Sequence, residues 1–386
     1  MNPPVAGDDA CPVLLVAPSS TGGGSQRTLV GVARHLPALG YAPTAALFRP
    51  GPLEGWLADV GCATAAVPFG RLRRPDDVAR TVRALKGLAR RTEARLVFDN
   101  MSIAHVYGGI AARSLGLPDV YWQQIIPNRD YGGPKMTRPL IDRLAARVPT
   151  DAIVVHSETG RVAQRELSRR PIEVVHQGID VDAVRADAAA DPGVRARMGW
   201  GDGTVVGIVG WLTPWKGQDL FLRAAAEVAP RHPAVRFAVV GGPGDSAFAA
   251  SLPSLVDELG LTGRVDLVGH QDPVAGWFAA LDVVVNASWG SPFDLVVLEA
   301  MALGKPVVAS TVGGIADAVV TDGVDGRLTP PGDVTALAQA MEAYLADPAS
   351  ARRIGAAAAE RAEQFTERRM AEGIATVFDD VLRRRG

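Results

Sequence analysis

Short apolar runs alternate with amphipathic segments along nearly the whole chain. Runs of three to eight mostly apolar residues bounded by turn residues predict buried strands, and apolar residues spaced three or four apart predict helices. In the first half the predicted strands are 12–18, 42–48, 94–98, 120–122 and 152–155, and the predicted helices include 76–91, 102–115 and 159–167. Strands that alternate with helices are typical of a parallel sheet with helices on both faces.

The same alternation starts again at residue 204, after a pause near Gly178 and an Ala- and Asp-rich stretch at 183–192. The second set of predicted strands is 204–210, 235–241, 264–269, 282–286 and one beginning at Val307, and the predicted helices are 218–229, 248–259, 274–281, 293–303, 334–345 and 350–364. A chain of 386 residues is longer than one hydrophobic core usually spans.

We therefore expect an α/β protein made of two doubly wound, Rossmann-like parallel sheets that face each other across a cleft. The predicted domains are 1–181 and 182–365, with the linker placed within 182–192. A last helix, 366–386, is expected to return to the first domain.

Composition narrows the protein class. The apolar fraction of 47% and the charged fraction of 21% are typical of a globular protein in water. The two cysteines, Cys11 and Cys62, do not indicate a disulfide framework or a cysteine metal site. No apolar run approaches the roughly 20 residues that cross a bilayer, and residues 1–9 lack the features of a signal peptide. We expect a cytoplasmic protein.

Charge is distributed unevenly. Through Asp180 there are 22 Lys and Arg against 16 Asp and Glu, a balance of +6, and after it 18 against 26, a balance of −8. The polar face of helix 76–91 and the segment before it are basic through Arg71, Arg73, Arg74, Arg80, Arg83, Lys86 and Arg90. Such a face favours a solvated helix, and it leaves open a peripheral contact with an anionic membrane surface.

The segment 290–309 predicts a ligand site. A buried strand ends in a Gly-Ser-Pro loop, and a helix begins near Phe293. The backbone N–H groups and the dipole at the start of a helix favour a phosphate or another anion. Glu299 follows within that helix, and its carboxylate can accept hydrogen bonds from sugar hydroxyls. An anion next to a polyol indicates a nucleotide sugar.

Two further loops lie in comparable positions. Trp211 and Lys216 follow the first strand of the second domain, where the ammonium can neutralise a diphosphate. In the first domain the glycine loop 19–25 separates a strand from a helix, and it favours a close backbone approach to a ligand or simply a tight turn. Its spacing is not the Gly-x-Gly-x-x-Gly of a dinucleotide fold.

Polar residues also follow the strands of the first domain. Asn100, Gln123 and Gln124 stand at the carboxyl ends of predicted strands, where open α/β sheets bind ligands, and we expect them on the acceptor side. His105 is a candidate catalytic residue, although a lone histidine at such a place is more often structural.

Several ordered motifs resemble those of the retaining, group 1 glycosyltransferases of the GT-B fold. They cover nearly the whole chain and comprise Gly23-Gly24-Ser25-Gln26-Arg27, the segment 209–217 (VGWLTPWKG), the segment from Ser291 through Glu299 with its continuation to Val308, Gly313-Gly314, and 322–328 (DGVDGRL).

The resemblance implies a role for each matching position. Glu299 would hold the donor ribose, Lys216 would meet the diphosphate, and both would count as catalytic. The backbone of Phe293, Asp294 and Leu295 would lie over the donor phosphate and sugar. The base would be bordered by Val268, Gly269, His270 and Gln271. Gly23 and Gly24 would approach the phosphate. The family usually needs no metal, since cations and N–H groups stabilise the departing diphosphate, and no cofactor is expected.

Three positions depart from the family. Its phosphate-binding arginine is Trp211 here, its first glutamate is Ser291, and its histidine after the fifth strand is Gln124. Trp211 can stack on a base or a sugar, and Ser291 can hydrogen-bond a sugar hydroxyl, so a transferase with a different donor is favoured. Two alternatives stay open: a catalytically reduced homologue that binds or scaffolds, and an NAD-dependent dehydrogenase, which the missing glycine motif disfavours.

Overall fold

The structure, a computed structural model, describes residues 10–18, 23–126, 139–291 and 293–385. The chain divides into two compact units. The described residues of the first unit are 10–178 and 367–385, apart from the gaps just given, and those of the second are 179–366. Residues 19–22 of the predicted glycine loop lie outside the described residues.

The first unit is built on a parallel sheet. Its elements in chain order are β1 (Cys11–Ala17), α1 (Gly24–His35), β2 (Tyr41–Leu47), α2 (Pro52–Asp59), β3 (Ala63–Ala66), α3 (Pro75–Arg91), β4 (Leu96–Asn100), α4 (Ser102–Leu115), β5 (Asp119–Trp122), α5 (Pro139–Arg147), β6 (Ala152–Val155), α6 (Glu158–Arg165) and β7 (Ile172–Val174). Within the described residues the sheet has seven parallel strands in the order β3-β2-β1-β4-β5-β6-β7.

The second unit repeats this architecture. Its elements are α7 (Val181–Ala190), α8 (Val194–Met198), β8 (Val205–Val209), α9 (Gln218–Val228), β9 (Arg236–Val240), α10 (Ser246–Glu258), β10 (Val265–Gly269), α11 (Ala275–Ala280), β11 (Val283–Asn286), α12 (Leu295–Ala302), β12 (Val307–Ser310), β13 (Arg327–Thr329), α13 (Val334–Ala346) and α14 (Pro348–Ala362). Among the described residues the sheet has six parallel strands in the order β10-β9-β8-β11-β12-β13.

Burial on both faces explains the apolar strands. Along β1, Val13 through Ala17 are all at most 1% exposed, and β8 and β11 are equally buried. A strand covered by helices on both faces has no solvent side, so its residues are apolar without alternation. The two predicted parallel sheets are therefore confirmed.

The last helix, α15 (Glu367–Arg385), packs within the first unit. The Phe378 ring lies edge-on to Phe98 and Tyr41, with ring centroids 5.1 and 5.3 Å apart. Arg34 in α1 forms a 2.6 Å ion pair with Glu367.

Two sequence predictions differ from the structure. The segment predicted as the linker is mostly the helix α7, which packs against α11 and α12; the Asp180 carboxylate accepts a hydrogen bond from the Ala183 N–H and caps it. Alanine is the best helix former, so an Ala-rich stretch was misinterpreted as a linker. The strands β3, β7 and β13 were missed because three or four residues of mixed polarity give no strand pattern.

Candidate functional site

The predicted donor loops meet at one place in the second sheet. Strands β8 and β11 are neighbours, and the strand order reverses between them, since β9 and β10 lie on one side and β12 and β13 on the other. In open α/β sheets ligands bind beyond the carboxyl ends of the strands at such a reversal. The loops 210–217 and 287–294 leave the sheet at this point.

Close backbone contacts hold the two loops together. The Trp289 N–H donates a 2.9 Å hydrogen bond to the Trp215 carbonyl. Gly217 has a left-handed φ of +72°, and a Cβ atom there would lie 2.1 Å from the Ala287 carbonyl oxygen. Only glycine fits this position, because any side chain would push the loops apart. The chain therefore places Lys216 directly beside the loop that opens α12.

Several polar atoms are buried at these strand ends without a hydrogen-bond partner in the described part of the chain. Among them are Thr213 Oγ1, Gln218 Oε1 and Asn286 Oδ1. The Gln218 Nε2 atom donates to the Trp211 carbonyl at 3.0 Å, which orients its Oε1 as an acceptor. Buried polar atoms are nearly always hydrogen-bonded in native proteins, so such a group calls for a ligand or ordered water. The grouping indicates a site for a ligand with hydroxyl or amide donors.

Lys216 is held in a largely buried ion pair. Its Nζ contacts Asp294 Oδ1, and the two side chains are 14% and 2% exposed. The same Nζ lies 4.4 Å from the centroid of the Trp215 ring. Burial raises the pKa of Asp294, but the charge of Lys216 and hydrogen bonds from Lys216, Ser291 and Ser288 outweigh it and lower the pKa overall. Asp294 is therefore ionised beside the lysine.

Trp211 forms an aromatic surface at the end of β8. It is 41% exposed. Its indole stacks on His270, with centroids 5.6 Å apart and planes inclined by 17°. A Cβ at Gly242 would lie 3.3 Å from the indole and 3.1 Å from His270, so the glycine lets the two rings pack over the loop that follows β9.

The other predicted donor residues lie at the same edge of this sheet. Ser291 and Phe293 are buried in the loop before α12, and Leu295 and Glu299 are half-buried in that helix. Gly269 ends β10 with φ +82°, and Gln271 follows it, half-buried. The structure thus places the predicted donor residues of the second unit at the end of β10, in the loops after β8, β10 and β11, and in α12.

Gly23 and Gly24 lie at the start of α1 in the first unit. The Gly23 N–H donates a 3.1 Å hydrogen bond to Gln26 Oε1, and the approach of Gly23 and Gly24 to the donor phosphate stays a prediction. Gln26 itself is 4% exposed.

The three predicted acceptor-side residues are buried. Asn100, Gln123 and Gln124 are at most 4% exposed. Gln124 Nε2 donates to Asn100 Oδ1 at 2.8 Å, and Gln124 Oε1 lies 2.8 Å from His156 Nε2. These three side chains are buried at the carboxyl ends of β4 and β5. Their direct contact with an acceptor stays a prediction.

Sequence reasoning missed two members of this network. Gln177 Nε2 donates to Gln124 Oε1 at 3.0 Å and lies 3.0 Å from His156 Nε2. Burial lowers the pKa of His156 to about 3, so its imidazole is neutral at physiological pH. The available signal was positional, since His156 directly follows β6 and Gln124 follows the neighbouring strand β5.

The prediction of a catalytic His105 is corrected by its burial. The imidazole has no exposed surface, and its Nδ1 lies 3.1 Å from Asp99 Oδ2 and 3.4 Å from Asp119 Oδ2. A side chain enclosed in this way cannot touch a substrate. A Cβ at Gly108 would overlap Asp99 Oδ1, so this glycine makes room for the cluster.

The pKa values of the buried cluster of Asp99, His105 and Asp119 differ from their ordinary values. Burial raises the pKa of Asp99 to about 7 and, with the charge of Asp99, raises that of Asp119 well above its usual range, while burial lowers the pKa of His105. Within the described residues this is also the group of three whose ligand-type atoms lie within 4.8 Å of one another. Asp119 opens β5 at the end opposite Asn100, whereas Asp99 directly precedes Asn100 in β4.

Comparison with known proteins agrees with this geometry. Residues 22–183 match "Glycosyltransferase Family 4", and residues 203–347 match "Glycosyl transferases group 1". The two segments together span most of the chain and contain the loops at β8 and β11. The chain belongs to the group 1 glycosyltransferases. This group 1 glycosyltransferase has the GT-B fold, since its structure is similar to that of the Anabaena protein HepE in complex with UDP-glucose (TM-score 0.82, 26% identity, 96% of this chain and 99% of the other).

Sequence relatives are similar over part of their length. A D-inositol 3-phosphate glycosyltransferase of Mycobacterium leprae is 42% identical over 203 residues, which cover 50% of this chain and 46% of the relative. The Streptomyces avermitilis protein of the same name is 36% identical over 250 residues, 61% of this chain and 51% of the relative. The group 1 glycosyltransferase described here thus spans about half the length of the curated relatives it matches.

Proposed function

We propose that the protein transfers a sugar from a nucleotide diphosphate sugar to an acceptor hydroxyl, with retention of the anomeric configuration. The observation that supports this best is a set of buried polar atoms at the ends of β8 and β11, the reversal point of the second sheet. Thr213 Oγ1, Gln218 Oε1 and Asn286 Oδ1 have no hydrogen-bond partner among the described residues. The UDP and UDP-glucose complexes of the similar HepE structure support a nucleotide donor.

In this proposal each predicted donor-site residue contacts one part of the nucleotide sugar. Glu299 accepts from the ribose hydroxyls, and Lys216 meets the diphosphate from the turn before α9. Trp211 offers its exposed ring to the base or the sugar. Ser291 replaces a carboxylate as a neutral hydrogen-bonding group. The acceptor is assigned to the first unit, beyond β4 and β5.

The reaction needs no nucleophile from the protein in this proposal. The bond between the anomeric carbon and the phosphate oxygen breaks, and the acceptor oxygen forms the new bond on the same face of the sugar. The departing diphosphate takes the proton of the acceptor hydroxyl. Lys216 and backbone N–H groups at the start of α12 stabilise the charge that develops on the leaving group, so neither a metal nor a cofactor is expected.

Thermal shift tests donor binding. UDP, GDP, dTDP and NAD are each added to the full chain, and a nucleoside diphosphate that binds the folded state raises the melting temperature. Incubation with a labelled sugar nucleotide and cell extract, followed by mass analysis, then tests transfer. A shift with NAD alone would contradict the proposal in favour of a dehydrogenase.

A second candidate is a catalytically reduced homologue that binds nucleotides or scaffolds other proteins. It is favoured by the pairing of Lys216 with Asp294 and by tryptophan at the arginine position, since both reduce the positive charge available to a diphosphate. Nucleotide binding without any glycosylated product would support this candidate over the transferase.

We also propose a cytoplasmic location with a peripheral contact between the basic segment 71–91 and an anionic membrane. In the described structure no ion-pair partner faces Arg71, Arg74, Arg83 or Arg90, and all four are exposed. A groove of about 410 Å³ between β3 and α3 is lined by Arg80, Arg83 and Arg91. Among the described residues no helix is both long and apolar enough to span a membrane.

Co-sedimentation with vesicles tests the membrane contact. Binding to vesicles with anionic lipid should be lost at high salt, because exposed charges are screened, and should weaken in Arg83→Glu/Arg90→Glu. The matched control is Arg352→Glu/Arg353→Glu, which reverses two exposed charges on α14. Equal loss in both variants would contradict a contact through α3.

A further inference from the structure

We propose that Asp294 is a positioning residue for the donor reaction: it holds Lys216 in place and offsets its charge, so that the nucleoside diphosphate product can leave. The inference rests on the proposed function, and it concerns the Asp294 side chain, whereas the resemblance assigns only a backbone role to this position.

The contacts of Lys216 determine where its ammonium lies. Asp294 Oδ1 holds Nζ from the loop before α12, and the Trp215 ring lies 4.4 Å from Nζ. Gly217 abuts the Ala287 carbonyl, so the backbone on both sides of the ion pair is also restricted. A flexible lysine chain that is 14% exposed and held at both ends has little freedom to reach elsewhere.

The charge balance of the two loops follows from their sequence. Within the described residues of the loops 210–217 and 287–294, Lys216 is the one cationic side chain, and Asp294 is the one carboxylate. Asp294 is ionised, because the lysine charge and the surrounding hydrogen bonds outweigh its burial and lower its pKa. The diphosphate therefore meets an ion pair with no net charge rather than an isolated cation.

This arrangement affects the nucleotide sugar and the nucleoside diphosphate product differently. Lys216 has three donors, so it can contact a phosphate oxygen while it keeps its bond to Asp294. The carboxylate repels the free nucleoside diphosphate, which carries more negative charge than the nucleotide sugar. Asp294 thus limits the affinity for the product, and product release sets the turnover of many enzymes.

Removal of the carboxylate charge tests the inference. Asp294→Asn keeps the size of the side chain, and we expect it to bind the nucleoside diphosphate about tenfold more tightly, as one favourable charge interaction of about 1.4 kcal/mol is no longer offset. We also expect kcat to fall, because product release slows and Lys216 loses its anchor. Asp294→Glu should recover part of kcat. Asp202→Asn, which removes an exposed charge elsewhere in the second unit, should leave both quantities unchanged.

A second measurement uses the wild-type chain alone. Because the ion pair has no net charge, the Kd for the nucleoside diphosphate should change less than about threefold between 50 and 200 mM salt, where exposed charges are progressively screened. A larger change would overturn the offset of the lysine charge.

The outcomes separate this inference from the proposed function. If Asp294→Asn weakens diphosphate binding as much as Lys216→Ala does, or leaves affinity and kcat unchanged, the positioning role is overturned while the transferase stands. If the wild-type chain binds no nucleoside diphosphate, the proposed function fails, and the inference fails with it. Tighter binding together with a lower kcat supports both.

Discussion

The indole of Trp211 stacks on the imidazole of His270, with ring centroids 5.6 Å apart, at the ends of β8 and β10. In the family that the chain resembles, a phosphate-binding arginine occupies the position of Trp211. The resemblance also implies that His270 lies beside the base. The structure therefore has a flat aromatic surface where a guanidinium would otherwise lie. A stacking surface favours a ring over a phosphate as its partner.

Substitution of Trp211 tests this surface. Trp211→Ala should weaken nucleotide binding by about 0.5–1.5 kcal/mol, the usual value of an aromatic pair beyond its buried area, and Trp211→Phe should retain most of the affinity. Titration calorimetry with the preferred nucleoside diphosphate measures both. Equal affinities in all three proteins would remove Trp211 from the site.

Trp211→Arg introduces the family's arginine and tests how the tryptophan affects donor binding. In Trp211→Arg a guanidinium becomes available to the diphosphate, and a charge-assisted, bidentate contact is stronger than a neutral one. Nucleotide affinity should rise, or the preference among UDP, GDP and dTDP should change. An unchanged affinity and preference would show that the side chain at this position does not face the donor.

Gly217 should tolerate no side chain. Gly217→Ala adds a Cβ atom 2.1 Å from the Ala287 carbonyl oxygen at a φ of +72°. Gly260→Ala is a matched control, since its φ is +68° and nothing lies within 4 Å of the added atom. We expect about 1 kcal/mol of destabilisation from the left-handed conformation in the control, and clearly more, with loss of nucleotide binding, in Gly217→Ala. Chemical denaturation measures the first effect, and equal losses would contradict the close approach.

The buried cluster at Asp99 predicts how stability depends on pH. Burial raises the pKa of Asp99 to about 7 from an ordinary value of 3.8, and burial together with the charge of Asp99 raises the pKa of Asp119 well above its usual range. In the unfolded chain both are already ionised, so the folded state binds more protons and the free energy of unfolding falls as the pH rises, by about 1.4 kcal/mol per pH unit for each proton. Burial lowers the pKa of His105 and His156, so each adds a slope of opposite sign, which fades as the pH rises above the ordinary histidine value of about 6.5.

Urea denaturation between pH 6.5 and 8 measures this slope. We expect the unfolding free energy of the wild-type chain to decrease with pH relative to that of Asp99→Asn, which cannot ionise, because the contributions of His105 and His156 are common to both proteins. Arg185 and Glu363 form an exposed ion pair in the other unit, and Glu363→Gln should leave the slope unchanged. Identical slopes in all three proteins would show that the cluster does not titrate on folding.

The fold was predictable because strands buried on both faces leave a simple signal. The apolar runs at β1, β8 and β11 could be recognised without knowledge of their neighbours, and so could the positions of the loops after them. The apolar pattern did not reveal β13, because its three residues, Arg-Leu-Thr, are of mixed polarity. They form a strand by pairing with β12. The pattern also failed for α7, where alanine-rich sequence suits a helix as well as a linker.

The site was predictable in position and less so in its contacts. Lys216 and Asp294 are 78 residues apart, and nothing in the spacing of either loop indicates that they form an ion pair. His105 follows a strand end in sequence, yet its side chain turns into the interior, where Asp99 and Asp119 compensate for its burial. Sequence order locates a residue on the fold, whereas the direction of its side chain depends on packing.

The central claim is that loops after β8 and β11 bind a nucleoside diphosphate, with Glu299 at the ribose. Titration calorimetry of UDP, GDP and dTDP into the wild-type chain and into Glu299→Gln tests it most directly. At least one nucleotide should bind the wild-type chain, and Glu299→Gln should weaken that binding by about 1–3 kcal/mol, since a hydrogen bond to a charged acceptor is lost. The account would be contradicted if none of the nucleotides bound, or if Glu299→Gln bound them as tightly as the wild-type chain.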